Sequence, residues 1–294
     1  MGNNNLIDVV VLNYNDSETT VTFVSKMKIN SNIRKIIIID NCSTDGSLQK
    51  LRKLKDDKID LVECPKNGGY GYGNNYGVRY AAKKYNSKYV LICNPDTYIS
   101  EEGLSSIKKV LDDHEEYAFS TCIMSTNGII ANNTAWKIPN LWEQIGHNLI
   151  WPEKIFNLGY KYVPVFYEND TLEDTIEVEC VQGSLLLLRV SDFVNIGGYD
   201  EDVFLYNEEN ILGSKYKSSH KKGILCLRYC YDHLHSVSIN KSYSSFFAKW
   251  KLDYDSQIKF VRRYITNNML SLIALKTSMI IRLITIIVRN ILQK

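Results

Sequence analysis

Charge of one sign is what this chain lacks. Its 35 lysines and arginines stand against 33 aspartates and glutamates, a formal net charge of +2 over 294 residues, and that balance argues against a general polyanion or nucleic-acid binder. No secretory leader opens it, for "MGNNNLIDVVVLNYN" is polar and then strand-like. The cysteines (Cys42, Cys64, Cys93, Cys122, Cys180, Cys226, Cys230) are seven and scattered, so reduced thiols of a cytoplasmic protein are expected in place of a disulfide scaffold. There is no internal repeat and no low-complexity block. Nor is there a G-x-G-x-x-G: Gly68, Gly69, Gly71 and Gly73 crowd a loop after the third strand, not the first. The C-terminal "MLSLIALKTSMIIRLITIIVRNILQK" (269–294) lacks an uncharged membrane span of about 18 residues, because Lys276, Arg282 and Arg289 interrupt it.

What is present is a βαβ rhythm. Short apolar runs rich in β-branched residues predict strands at 6–12, 35–40, 59–64, 89–94 and 117–123, with helices near 17–28, 46–55, 74–85 and 101–113. Runs such as "IIII" have no polar alternation, which suits strands covered on both faces of a parallel sheet. The expected architecture is an open, mostly parallel α/β sheet with helices on both faces. Beyond 125 the periodicity fades and aromatics gather, then "VECVQGSLLLLRV" (178–190) and "ILCLRYCYDHLHSVS" return as strands, and the chain from about 243 reads as helix.

In open α/β sheets, ligands sit beyond the carboxyl ends of the strands. This chain concentrates its polar residues there: Asn13, Tyr14 and Asn15 after the first, Asp40 and Asn41 after the second, Asn67 to Gly73 after the third, and Asn94 to Asp96 after the fourth. The glycine loop would let backbone approach a ligand, or simply be a turn. Asp40 suits a base or ribose hydroxyl, with a structural turn an even rival, and Asp45 reads as a helix cap. Asp96 follows Pro95, which fixes its direction, and a hard divalent cation bridging phosphates needs one or two such carboxylates. In "YDEDVFLYNEENILG" (199–213) most acids read as a solvated run, but Glu208 and Glu209 lie between apolar segments. A carboxylate against an aromatic wall is raised toward the range of a general base. Cys226, Cys230, His233 and His235 match no familiar zinc spacing.

Together "VVVLNYN", "IIIIDNCSTDGS", "NGGYGYGNNYGVRYA", "LICNPDTYI", "GSLLLLR", "IGGYDEDVFLYNEE" and "HLHSVS", in this order over residues 6–240, resemble the family 2 glycosyltransferases of GT-A fold. Within these, the rhamnosyltransferase-like branch of bacterial polysaccharide biosynthesis is the nearest likeness. The resemblance implies a nucleotide-sugar-binding half (1–125) and an acceptor-binding and catalytic half (126–242); the pattern of residues itself adds a helical tail (243–294) with membrane association as one reading. It implies that Asn13, Tyr14, Asn15 and Asp40 line the base and ribose pocket. Gly69, Gly71, Asn74, Asn75 and Asn94 would pass beside the donor. Asp96 matches the metal aspartate for Mg2+ or Mn2+, with His235, or in another alignment His233, near the diphosphate. Glu209 falls at the catalytic base, with Glu208 beside it. After this pair "ENILGSK" departs from the family's usual "DxDLxxR", which leaves the choice of glutamate open.

The implied activity is inverting transfer from dTDP-rhamnose or a UDP-hexose to a hydroxyl of a saccharide or lipid-linked acceptor. The aromatics of 130–167 are expected to meet that acceptor. A nucleotidyltransferase is the first alternative, but its basic glycine loop is missing from "LNYNDSETT"; a non-catalytic carbohydrate-binding protein is the second. The tail is expected to lie on a bilayer as an amphipathic helix, or else to dock on this protein or on a second copy.

Overall fold

The structure is a computed structural model that describes residues 6–54, 56–131, 133–149, 174–234 and 246–292. The first half alternates strand and helix: β1 (Ile7–Asn13), α1 (Ser17–Met27), β2 (Ile33–Asp40), α2 (Ser47–Leu51), β3 (Ile59–Glu63), α3 (Gly69–Tyr85), β4 (Tyr89–Cys93), β5 (Thr97–Ile99) and α4 (Glu101–Asp113). The second half brings β6 (Tyr117–Thr126), β7 (Ile129–Ile130), β8 (Ala135–Trp136), α5 (Leu141–Asn148), β9 (Thr175–Val178), β10 (Cys180–Val181) and β11 (Leu185–Arg189). It continues with α6 (Val190–Asn195), α7 (Glu208–Ser218), β12 (Lys222–His233), α8 (Phe246–Phe260), a π-helical turn (Val261–Ile265) and α9 (Met269–Leu292).

One sheet runs in the order β3-β2-β1-β4-β11-β6-β12-β5. β3, β2, β1 and β4 are all parallel, while β11 runs antiparallel between β4 and β6. Strand pleating explains the isoleucine run. Val9, Val11, Ile36, Ile38 and Leu91 pack toward α1 and α4, and Val10, Ile37, Ile39, Val90 and Ile92 toward α3, α6 and α7. Every one of them is removed from water, as a sheet sandwiched between two helical layers requires. The sheet passes without a break from the parallel strands of the first half into β11, β6 and β12.

Three boundaries differ from the sequence expectation. The glycine stretch is the first turn of α3, which begins at Gly69 and not at 74. Its glycines are packing positions: a Cβ at Gly73 would strike Leu12 and one at Gly77 would strike Val10, so both let α3 lie close on β1. The expected strand 178–190 is broken at Gln182–Ser184, where the chain turns between β10 and β11. On β12 a bulge separates Cys226 from Cys230. Cys226 is buried opposite Cys122 and Cys230 is exposed, so the two do not share a face as an unbroken strand would make them.

The C-terminal helices share a core with the body of the protein. Phe260, Val261 and Leu275 pack with Val203 and Ile211. A buried polar chain ties them down: Asn148 Nδ2 donates to Gln257 Oε1 at 2.9 Å and to Ser278 Oγ at 3.2 Å, and Gln257 donates to Gln144. On α9, Leu275, Ser278 and Met279 are buried, and Arg282 turns inward to pair with Asp253 at 3.2 Å. Arg289 falls on that same side, seven residues on. The opposite side carries Ile273, Ile280, Ile284, Ile287 and Ile291, all exposed. With Arg282 turned inward, the outer face is an apolar stripe in which Lys276 and Thr277 are exposed between Ile273 and Ile280.

Candidate active site

Asp96 is aimed by a turn with a cross-strand lock. Asn94 N–H donates to Ser184 O at 2.8 Å, and Thr97 returns its Oγ1 to Asn94 O at 2.8 Å. β5 then pairs antiparallel with β12, Thr97 opposite His233, and Leu234 N–H donates to Asp96 O at 3.0 Å. This register sets Asp96 Oδ1 3.3 Å from His233 Nε2, with Asp96 8% and His233 5% exposed. His235, the histidine of the first alignment, lies outside the described residues, and so do 150–173, which hold most of the aromatics of the expected acceptor segment. Of that segment's aromatics, Trp136 donates Nε1–H to Asn210 Oδ1 at 2.8 Å and so fastens α7.

α7 opens on the acidic pair. Tyr206 (φ 73°) and Asn207 (φ 64°) are consecutive left-handed residues without being glycine, a conformation that stores strain and clusters at functional sites. The turn places Glu208 and Glu209 in the first turn of α7. Burial pushes the Glu208 carboxyl up, and the neighbouring charge of Glu209 pushes it further. Glu209 is also raised by burial, against the pull of its own backbone N–H and of the Gly183 N–H, which donates to its Oε1 at 3.3 Å. Two carboxylates so close do not ionise independently, and the pair holds a proton above the ordinary carboxylate range.

Asp96, His233, Glu208 and Glu209 line a single cleft of about 470 Å³. Of the residues expected to bind donor, Tyr14, Gly69 and Asn94 line it as well. Asn41, Asn67, Tyr70, the Gln182–Ser184 turn and Phe204–Asn207 complete its wall. A larger groove, about 740 Å³, runs along α4 past Arg228; it holds neither the strand ends nor the acidic pair, so chemistry and not volume locates the site.

The other expected donor residues are not part of that lining: Asn13, Asp40, Gly71, Asn74 and Asn75 are buried and Asn15 is part-exposed. Asn13 donates to Asp40 Oδ1 at 2.9 Å and to Ser43 Oγ at 3.0 Å, and its Oδ1 accepts from Thr20 at 2.8 Å. Asp40 Oδ2 accepts Ser43 N–H at 3.0 Å. Asn15 exchanges bonds with Ser43 and Thr44. Gly71 packs on Tyr199, where a Cβ would come within 2.9 Å. Asn74 donates to Tyr70 O at 3.1 Å. Asn75 staples the 199–201 segment through Tyr199 O (3.0 Å) and Glu201 Oε1 (2.9 Å). Among the described residues no group of three or more His, Cys, Asp or Glu gathers as a metal cage. The pair Asp96 and His233 fits a hard cation whose remaining ligands are phosphate oxygens and water.

The sheet is mostly parallel and its cleft lies at the strand ends, where open α/β sheets bind their ligands. Residues 8–162 match glycosyl transferase family 2, and the chain belongs to that family. It is a glycosyltransferase, which removes the nucleotidyltransferase and the carbohydrate-binding alternatives. It is 26% identical over 204 residues to the low-salt glycan biosynthesis hexosyltransferase Agl10 of Haloferax volcanii, covering 69% of this chain and 59% of that relative. It is 26% identical to the rhamnosyltransferase WbbL of Escherichia coli K12 (69% of this chain, 74% of the relative). With the N-acetylglucosaminyl-diphospho-decaprenol L-rhamnosyltransferase of Mycobacterium tuberculosis it shares 25% (71% and 70%).

Among solved structures, the fold resembles the mannosyltransferase PcManGT of Pyrobaculum calidifontis, in complex with GDP-Man and Mn2+ (TM-score 0.58, 13% identity, 95% of this chain and 74% of that one). It also resembles S. aureus TarS 1–349 with UDP-GlcNAc (TM-score 0.53, 15% identity, 94% and 72%). The GT-A fold is thereby shared.

Proposed function

We propose that the cleft carries out inverting transfer of a sugar from dTDP-rhamnose or a UDP-hexose to a hydroxyl of a growing capsule or O-antigen polysaccharide or of a lipid-linked oligosaccharide. The observation that carries this reading is one cleft with Asp96 and His233 on one wall and the buried pair Glu208–Glu209 on another. The rhamnosyltransferase relatives, one acting on a decaprenol-linked substrate by its name, support the donor and acceptor classes.

In a single displacement, Glu209 accepts the proton of the acceptor hydroxyl as its oxygen bonds to the anomeric carbon. The bond from that carbon to the diphosphate oxygen breaks, and its electron pair leaves on the nucleoside diphosphate. Burial suits Glu209 to this work, because a raised carboxylate is a stronger base once ionised. Asp96 and His233 would hold Mg2+ or Mn2+, which when bound supplies Lewis-acid neutralisation of the leaving diphosphate. Asn13, Asn15 and Asp40 act from outside the lining by fixing the β1 and β2 loops that carry Tyr14 and Asn41.

Glu209→Gln is expected to lower kcat by about 10²–10⁴-fold with donor affinity nearly unchanged; near-normal turnover in both Glu209→Gln and Glu208→Gln sinks the assignment. Asp96→Asn is expected to abolish the strengthening of Mn2+ binding by donor in calorimetry, and an unchanged titration removes Asp96 from the metal.

The outer stripe of α9 supports a peripheral seat on the inner face of the cytoplasmic membrane. Met269–Arg289 is long and apolar enough to cross a bilayer by length and composition, but its inner face is docked on the protein body. In-plane burial of the stripe, with exposed Lys276 reaching headgroups, fits both faces at once.

A further inference from the structure

We infer that Tyr70 is a positioning residue for the general base: through Gly183 it orients the carboxylate of Glu209, and this makes Glu209 and not Glu208 the proton acceptor. The inference rests on the glycosyl-transfer reading of the cleft. Tyr70 is itself held firmly. α3 begins with Gly69 at φ +87°, a turn in which a Cβ would collide with the Phe204 carbonyl, and the Tyr70 N–H donates to that carbonyl at 3.0 Å. Its ring stands edge-on to Tyr199, centroids 5.7 Å apart.

From this anchored position the phenol crosses the cleft wall. Tyr70 Oη donates to Gly183 O at 2.5 Å, and Gly183 N–H donates to Glu209 Oε1 at 3.3 Å. A Cβ at Gly183 would come within 3.1 Å of Glu209 Oε1 and 3.2 Å of Tyr70 Oη and would press on both. Glycine is also the residue freest to rotate about its own Cα. Neighbouring bonds hold the residues on either side, with Gln182 N–H on Thr134 O at 2.9 Å and Ser184 O under Asn94 N–H at 2.8 Å. The phenol holds the carbonyl of Gly183 itself, and so restricts the rotation about its Cα that would turn the neighbouring peptide N–H away from Glu209. Glu208 has a different setting: it is the more buried of the two, and the backbone N–H groups that favour its charge are its own and that of Tyr206. Each glutamate feels the pull of its own backbone N–H, and Glu209 in addition meets the Gly183 N–H from another segment of the cleft wall.

Tyr70→Phe keeps the ring and deletes the donor. The assay is release of dTDP from dTDP-rhamnose, or UDP from UDP-glucose, with Mn2+ present and water standing in for the acceptor hydroxyl. Rates are normalised to the donor-binding stoichiometry from calorimetry, so that any misfolded fraction drops out. We expect kcat to fall about 10-fold, within the 10²-fold that a misplacement of about an ångström costs, with donor KM unchanged. The same substitution in Glu209→Gln should cost nothing further, because no base remains to be aimed, and in Glu208→Gln it should keep its full effect. Unchanged kcat in Tyr70→Phe, a raised KM, or losses that multiply in the Glu209→Gln background would each overturn the inference and leave Tyr70 a packing or donor-contact residue. Normal turnover in Glu209→Gln alone would instead sink the base assignment, so the two failures are told apart.

Discussion

In the β1–β2 corner, polar groups answer one another: Asn13 bonds to Asp40, Ser43 and Thr20, and Asp40 spends both carboxylate oxygens on Asn13 and on the Ser43 N–H. At the α7 corner, two glutamates lie side by side, both raised by burial. Both corners bury carboxylates at the same cleft. The first has converted its charge into loop architecture, where a satisfied buried network is stabilising. The second keeps its charge costly and ready for a proton, which is how catalytic groups are tuned.

The same chemical change should therefore act with opposite sign in the two corners. Asp40→Asn replaces an acceptor of two donors by a group that must point an N–H at one of them; we expect a loss of about 1–3 kcal/mol in urea unfolding. Unchanged stability would mean that Asp40 is not structural. Glu208→Gln should instead raise stability near neutral pH by about 1 kcal/mol, read as a Tm higher by roughly 2–4 °C.

The sign follows from linkage. The folded Glu208 holds its proton above the ordinary value of 4.5, so the wild type loses stability as pH climbs from there through the raised value. The advantage of Glu208→Gln must fade below about pH 4.5, where the carboxyl is protonated in both states. A gain that persists into acid would contradict burial of the charge as its cause. The smallest stability effect belongs to the outer stripe of α9. Ile284→Glu with Ile287→Glu should leave Tm within about 1 °C, as surface changes do, while removing sedimentation with vesicles of anionic phospholipid. Retained vesicle binding would discard the membrane seat, and a dimer dissociated by these substitutions in analytical ultracentrifugation would assign the stripe to a second copy.

Much of this was legible before folding. β-branched runs place β1, β2, β3 and β4 within a few residues, because strand formation and burial on both faces are written in local composition. The turn before Asp96 and the apolar flanks of the acidic pair were readable as well. The roles of the glycines were not: the sequence suggests a loop open to ligand, whereas Gly73 and Gly77 are small because β1 lies against them. Nor was the saturation of Asn13 and Asp40 readable, since their partners arrive from another loop. The break at Gln182–Ser184 was hidden inside an apolar stretch that reads as one strand, and with it the contact that Gly183 makes with Glu209.

By itself, then, the sequence determined the parallel half of the sheet, the crowding of polar residues at its strand ends and the family to which the chain belongs. Local periodicity and turn chemistry specify these. Tertiary structure alone decided that His233 stands beside Asp96, through the pairing of β5 with β12, and that Tyr70 reaches Gly183 across 113 positions of chain. It alone turned Arg282 inward and left an apolar face on α9. These contacts join residues remote in sequence, and their geometry exists only once the sheet register and helix docking have been set.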